Sequence, residues 1–169
     1  LGWNIYKDAF RKPKLRVRCF LACIRFVDGS ERGLLIELDD FDSSPEYVVV
    51  EAINHGPGPI CCSNIVCKLR VAFCKHVRGT VHYDGVKEHS DPLPSVLDTG
   101  ERFRFIVPYA ERCFMHGPVL ATGIENSFGK IVWAPSKKVR RISRRCNKEF
   151  GMPTTASTAT NEPAAGGSI

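Results

Sequence analysis

The chain has 169 residues, and its 24 Lys and Arg against 18 Asp and Glu give a net charge of +6. This length is that of one domain with appendages, large enough to bury its own core. The sequence contains neither a signal-peptide pattern nor an apolar run of about 18 residues, so we expect nothing within these residues to span a membrane.

The N-terminal segment carries an aromatic stripe. Trp3, Tyr6 and Phe10 stand at i, i+3 and i+7, the spacing of one helical face, and Pro13 ends the pattern. We therefore predict a helix at 1–13. Two interpretations stay open: a short helix that packs its aromatics on the domain, or a juxtamembrane helix with aromatics at headgroup level and basic residues on the cytoplasmic side.

Alternation of apolar and polar residues predicts antiparallel strands in the middle of the chain. The run 47–53 is mostly β-branched and ends in the turn signal Asn54-His55-Gly56, and 64–73 alternates apolar and polar residues. The face of the second run that we predict to pack on a core comprises Ile65, Cys67, Leu69, Val71 and Phe73. A strand, a turn and a second strand with one apolar face are typical of an antiparallel pair on a core.

Further runs extend this pattern to the rest of the domain. They lie at 15–27, 34–38, 103–107, 119–124 and 130–133, and Gly129 supplies the turn between the last two. The polar, turn-rich stretch 78–94 is predicted to be an exposed excursion. We therefore predict that residues 14–135 form an all-β, antiparallel β-sandwich of about seven strands.

After this domain the pattern becomes helical. Ser136 is a candidate N-cap. The apolar positions recur at i, i+3 and i+7, at Val139, Ile142 and Cys146. We predict a basic helix at 136–150, and a disordered tail at 151–169, which is rich in Thr, Ala, Gly, Ser and Pro.

The positive charge is concentrated in this predicted helix, and the rest of the chain is close to neutral. The candidate residues for binding an anionic surface are Lys137, Lys138, Arg140, Arg141, Arg144, Arg145 and Lys148. Three interpretations stay open: a solvated face on a helix that docks through its apolar side, attraction to anionic lipid, and salt-sensitive contact with the phosphates of nucleic acid. No aromatic residues interleave with the cations, so base stacking is not indicated.

The eight cysteines are even in number, which is compatible with disulfides. Most of them lie in predicted strands, where Cys acts as a small hydrophobe, and there is no Cys-x-x-Cys. We predict buried thiols at Cys19, Cys23 and Cys67 and no bound metal, with one or two disulfides as the alternative. The densest potential ligand group comprises Cys61, Cys62, Cys67, Cys74 and His76. Reduced thiols favour a cytosolic compartment.

Catalytic motifs are not indicated. The five histidines are spread over predicted loops, and no nucleophile–base spacing, phosphate loop or pair of carboxylates stands out. We therefore expect no catalytic residue and no cofactor. The less favoured alternative is an enzyme whose site is formed by Cys and His residues in loops.

Several short motifs of the chain are similar to motifs of a known group of proteins. They are the opening 1–6, the strand and turn 48–60, the element Leu97-x-x-Gly100-Glu101-x-Phe103, and the closing hairpin 126–130 that precedes Ala-Pro and a basic run. Together they resemble, over about residues 1–142, uncharacterised bacterial proteins with an Ig-like sandwich, some of them anchored in the membrane by an upstream helix. The chain departs from that pattern at Cys61-Cys62 and in its longer excursion at 75–95.

The resemblance implies an Ig-like fold and supplies no catalytic residue. If a transmembrane helix precedes Leu1, the cations from Lys7 to Arg18 would place the domain in the cytoplasm, at the inner face of the membrane. We therefore expect a non-catalytic accessory or interaction module that binds a protein partner or an anionic membrane surface. The alternative is an accessory protein that binds nucleic acid non-specifically through the C-terminal helix.

Overall fold

A computed structural model describes residues 14–26, 33–38, 44–82 and 89–151. Within these ranges the chain forms nine strands and one helix. They are β1 (Leu15–Phe26), β2 (Gly33–Glu37), β3 (Tyr47–Asn54), β4 (Ile60–Ala72), β5 (Lys75–Thr80), β6 (Ser95–Leu97), β7 (Arg102–Pro108), β8 (Val119–Asn126), β9 (Ile131–Trp133) and α1 (Ser136–Phe150). The predicted helix at 1–13 and the tail from 152 onward lie outside the described residues.

The strands form two antiparallel sheets. One has the order β2-β1-β3-β7, the other β5-β4-β8-β9, and β6 also pairs with β4. The predicted all-β, antiparallel, sandwich-like architecture is thus confirmed. The described residues hold more strands than the seven predicted, because β5 was not predicted and β6 has only three residues, too few for an alternating pattern.

The core lies between the two sheets. Because side chains alternate across a strand, every second residue of β1 and β7 faces inward. The inward positions are Val17, Cys19 and Leu21 on β1 and Phe103, Phe105 and Val107 on β7. The middle of β1 is buried on its other face too, where Phe20 and Ala22 pack against Val49 and Ile106. This second cluster explains the long, nearly uniform apolar run in the β1 sequence.

The predicted turn after β3 is held by a buried side chain. The Asn54 side chain is fully buried, and its amide donates to the carbonyl oxygens of Gly58 at 2.8 Å and Leu97 at 2.9 Å. Its oxygen accepts a hydrogen bond from the Gly56 amide at 2.8 Å. Asn54 therefore satisfies three backbone groups of the turn and ties it to β6.

The β4–β5 hairpin departs from the predictions. Val71 and Phe73, predicted to face the core, are 62% and 95% exposed. The exposed excursion predicted at 78–94 begins within β5, because Lys75–Thr80 pairs with the second half of β4 as a strand. Alternation identifies the two faces of a strand but not where the opposing sheet ends, and the last residues of β4 lie beyond the packed region.

The C-terminal helix is confirmed, and it packs on β8 and β1. The predicted N-cap is wrong: Ser136 is the first helical residue, it follows Pro135, and no described side chain caps the helix. The amides of Lys138 and Val139 instead donate to the Pro135 carbonyl. Because α1 contacts β8 of the second sheet and β1 of the first, it lies along the side of the sandwich between them. This contact determines which face of the helix is exposed to solvent.

Candidate anionic-surface interface

One face of α1 is fixed to the sandwich. Its buried residues are Val139, Ile142, Ser143 and Cys146. The Ser143 hydroxyl donates to the Gly117 carbonyl at 2.7 Å, and the Asn147 amide donates to the same oxygen at 2.9 Å. In return the Asn147 side-chain oxygen accepts from the Gly117 amide at 2.7 Å. Apolar burial and these three hydrogen bonds set the rotation of the helix about its axis.

The opposite face of α1 is cationic. Five of the seven predicted residues are exposed: Lys137, Arg140, Arg141, Arg144 and Lys148. Four of these recur at i, i+4, i+7 and i+11, which places them on one side of a helix with 3.6 residues per turn, and Arg140 lies beside them. We call these five residues the cationic stripe. α1 contains no acidic residue before Glu149, so the stripe carries its charge without an intervening carboxylate.

The other two predicted residues are only partly exposed, and each forms an ion pair within the molecule. Lys138 places its Nζ 2.7 Å from a carboxylate oxygen of Glu37 and 5.9 Å from the ring centre of Phe20. The half-buried Arg145 donates from Nε to Glu149 at 2.8 Å. Exposed pairs of this kind contribute little stability, typically ~0–1 kcal/mol. Lys138 and Arg145 therefore lie closer to the fold than the five exposed residues of the stripe.

A second positively charged surface lies on the outer face of the first sheet. Glu51 on β3 is only 1% exposed and stands in register between Arg18 on β1 and Arg104 on β7. Arg18 donates to one of its carboxylate oxygens at 2.6 and 3.1 Å. Arg104 approaches the other oxygen at 3.1 Å and Arg102 at 3.4 Å. We call these four residues the arginine cluster.

The cluster keeps Glu51 ionised. Burial alone would raise its pKa, but the hydrogen bonds from Arg18 and Arg104 and the charge of Arg102 outweigh burial, so the pKa of Glu51 lies below its usual range. The hydrogen bond to Glu51 likewise raises the pKa of Arg18. One carboxylate thus faces three guanidinium groups, and the cluster has a net positive charge.

Glu37 connects the cluster to the helix. Its carboxylate lies 3.4 Å from Arg18 and 2.7 Å from Lys138. The first turn of α1 and the outer face of the first sheet therefore share one charge network. The network was not predicted because Glu51 stands in an apolar run; the signal in the sequence was the alternation of Arg with apolar residues in two neighbouring strands.

A cleft of about 250 Å³ brings a thiol and an imidazole together. Cys67 and His82 line it with Thr80 and Arg112, but none of the described residues around it is acidic. Burial raises the pKa of the Cys67 thiol to about 11, and this thiol lies 3.5 Å from the Thr122 hydroxyl. A thiol with this pKa is almost entirely protonated at neutral pH and is a poor nucleophile.

Six of the eight cysteines are buried. All eight cysteines are unpaired, and the predicted burial of Cys19, Cys23 and Cys67 is confirmed. The densest predicted ligand group is spread out, since Cys74 lies at an exposed turn while Cys62 is in the core. Across the described ranges, no three His, Cys, Asp or Glu side chains converge as metal ligands would.

The thiols should differ sharply in reactivity. We expect an alkylating reagent at neutral pH to modify exposed Cys74 first, and Cys67 far more slowly because its thiolate fraction is about two orders of magnitude below that of an unperturbed cysteine. Peptide mass spectrometry after timed quenching measures this order. Denatured protein should take up eight equivalents without reductant. Equal labelling rates, or fewer than eight equivalents, would contradict this assignment.

Comparison of the chain with family models, with curated proteins and with solved structures finds no match. In the described part of the chain, no helix has the length and apolar character that a bilayer crossing requires.

Proposed function

We propose that this protein is a non-catalytic accessory module with an Ig-like sandwich that binds an anionic surface, and that this surface is an anionic membrane leaflet. The observation that carries the proposal is the cationic stripe, whose residues lie opposite the buried face of α1 with no acid among them. Sandwich domains commonly act as scaffolds for recognition surfaces. The protonated Cys67 thiol in the cleft favours this class of function over catalysis.

The strength of such binding can be estimated from the stripe. A Lys or Arg near an anionic bilayer contributes about 1 kcal/mol, so five residues contribute roughly 5 kcal/mol and give a submillimolar dissociation constant. Binding of this strength is reversible and salt-sensitive. It suits a domain that is also held at the membrane by another segment.

The proposed location is the cytoplasm, at the inner face of the membrane. Eight unpaired thiols fit a reducing compartment, and the cytoplasmic leaflet is the one that carries anionic lipid. The cations between Lys7 and Arg18 would orient an upstream transmembrane segment in the same sense.

Paired charge removal tests the proposal. We expect Lys137→Ala with Arg144→Ala to weaken partition into vesicles of phosphatidylcholine and phosphatidylserine by roughly 30-fold, the effect of losing about 2 kcal/mol. The matched control is Arg112→Ala with Lys130→Ala, which removes one Arg and one Lys from exposed positions outside α1. Sedimentation measures both.

Three outcomes would overturn the proposal. The first is an equal loss in the two variants, which would mean that net charge alone drives binding. The second is wild-type protein that ignores anionic vesicles and binds random duplex DNA, in which case the nucleic-acid alternative holds. The third is binding to neither, which would leave α1 as a solvated face.

A further inference from the structure

The tip of the β4–β5 hairpin exposes apolar side chains. Phe73 is 95% exposed, Val71 62% and Val77 46%, and Cys74 beside them is exposed too. They lie at a turn where the hairpin leaves the packed region. This tip is convex and offers no groove for a ligand, but it can insert into a fluid apolar environment such as a lipid bilayer.

The hairpin also carries a cationic face. Lys68 lies directly opposite Arg78, and Arg70 lies directly opposite His76. All four side chains are exposed. Lys68 and Arg78 carry like charges directly opposite one another on neighbouring strands, which is destabilising, so this face gains stability when an anion lies against it.

Neither strand of the hairpin carries an acidic residue. From 64 to 82 the chain has four Lys and Arg and two His but neither Asp nor Glu. β5 lies at the edge of its sheet, and cations on an edge strand oppose pairing with a second copy of the same chain. The charge of the hairpin therefore complements an anionic partner and not another copy of this protein.

The hairpin and the second half of α1 lie at the same end of the sandwich. The Arg70 amide donates to the Pro118 carbonyl at 2.9 Å. The adjacent Gly117 accepts from Ser143 and Asn147 of α1 at 2.7 and 2.9 Å. A surface that meets this end of the molecule can therefore reach both cationic elements.

We propose that the β4–β5 hairpin inserts Phe73 into the headgroup region of an anionic bilayer, with Lys68, Arg70 and Arg78 against the lipid phosphates and carboxylates. Aromatic rings favour this depth, and apolar residues combined with Lys and Arg are typical of elements that lie in the interface. The inference rests on the proposed function, because it assigns the apolar contribution to the same membrane contact.

Two tryptophan substitutions test the insertion, since Phe128 provides a matched control. Phe128 is 92% exposed at the β8–β9 turn, and the Ser127 amide beside it donates to Cys61 near the start of β4. Phe73 follows the end of the same 13-residue strand, so the two rings lie at opposite ends of the sandwich. Because both rings are exposed, neither substitution removes core packing.

The measurement is tryptophan emission of the full chain with vesicles of phosphatidylcholine and phosphatidylserine, with or without brominated acyl chains. We expect Phe73→Trp to show a blue shift and bromine quenching beyond the wild-type signal, and Phe128→Trp to show neither. In parallel, Phe73→Ala should weaken partition by about tenfold or more, the effect of losing a buried Phe side chain, while Phe128→Ala should not.

The outcomes separate the two proposals. Protein that sediments with anionic vesicles while Phe73→Trp stays unquenched would overturn insertion and leave electrostatic docking intact. Quenching of Phe73→Trp, with binding that is unaffected by loss of Lys137 and Arg144, would support the hairpin and overturn the role of the stripe. An emission shift of Phe73→Trp with single-stranded nucleic acid but not with vesicles would overturn insertion in favour of base stacking.

Discussion

Replacing Arg18 and Arg104 together with Met is expected to lower the free energy of unfolding by roughly 3 kcal/mol. Glu51 is 1% exposed and would keep only the longer contact to Arg102. A buried carboxylate without partners is costly, whereas Met preserves the aliphatic stems that cover the sheet. Chemical denaturation of wild type and the double variant measures the loss.

The control variant also removes the carboxylate of Glu51. Adding Glu51→Met to the double variant should recover most of the lost stability, because an apolar cluster of similar volume replaces the stranded carboxylate. A double variant as stable as wild type would contradict the assignment of Glu51 as a carboxylate that depends on its arginines.

The arginine cluster also predicts that stability depends on pH with opposite sign in the wild type and in the double variant. In the wild type the folded pKa of Glu51 lies below its unfolded value, so its contribution is complete above about pH 4.3 and is lost as the pH falls through the folded pKa. In the double variant burial dominates and raises the folded pKa, so the stability contributed by Glu51 should increase as the pH falls. Denaturation midpoints of wild type and double variant, measured from neutral to acidic pH, test this sign through the difference between the two proteins at each pH.

The second large effect is expected at the docked face of α1. Ile142 is 1% exposed within the main core, and Ile142→Ala should lower the free energy of unfolding by about 2–5 kcal/mol through lost burial and the cavity left behind. The matched control is Arg144→Ala, two positions along on the opposite face, which should change stability by less than about 0.5 kcal/mol.

Equal losses in these two variants would contradict the assigned rotation of the helix, and with it the outward direction of the cationic stripe. Urea denaturation measures both variants. The comparison needs no membrane, so it tests the geometry of the interface independently of its function.

The architecture was largely predictable because local patterns and tertiary packing agree. The alternation at 64–73 and the turn at Asn54 correspond to β4 and to the end of β3. The exposure of Val71 and Phe73 was not predictable, since a period of two gives the face of a strand but not the extent of the sheet opposite it. Strand β5 was missed for a related reason: its polar residues resemble a loop when nothing covers them.

The candidate interface was predictable in part. The concentration of cations at 137–148 is a property of the sequence, and the position of the stripe follows from helical periodicity once Ile142 is known to be buried. The intramolecular pairing of Lys138 with Glu37 depends on residues 101 positions apart. The partners of Glu51 likewise come from two other strands, β1 and β7, and no local pattern specifies them.

The most direct test of the central claim is sedimentation of the wild-type protein with vesicles of phosphatidylcholine alone and of equimolar phosphatidylcholine and phosphatidylserine, at low and high salt. Electrostatic docking predicts binding only with the anionic vesicles, and a steep loss as the screening length falls from about 10 Å at 0.1 M salt to about 3 Å at 1 M. Equal binding to both vesicle types, or binding to neither at low salt, would contradict it.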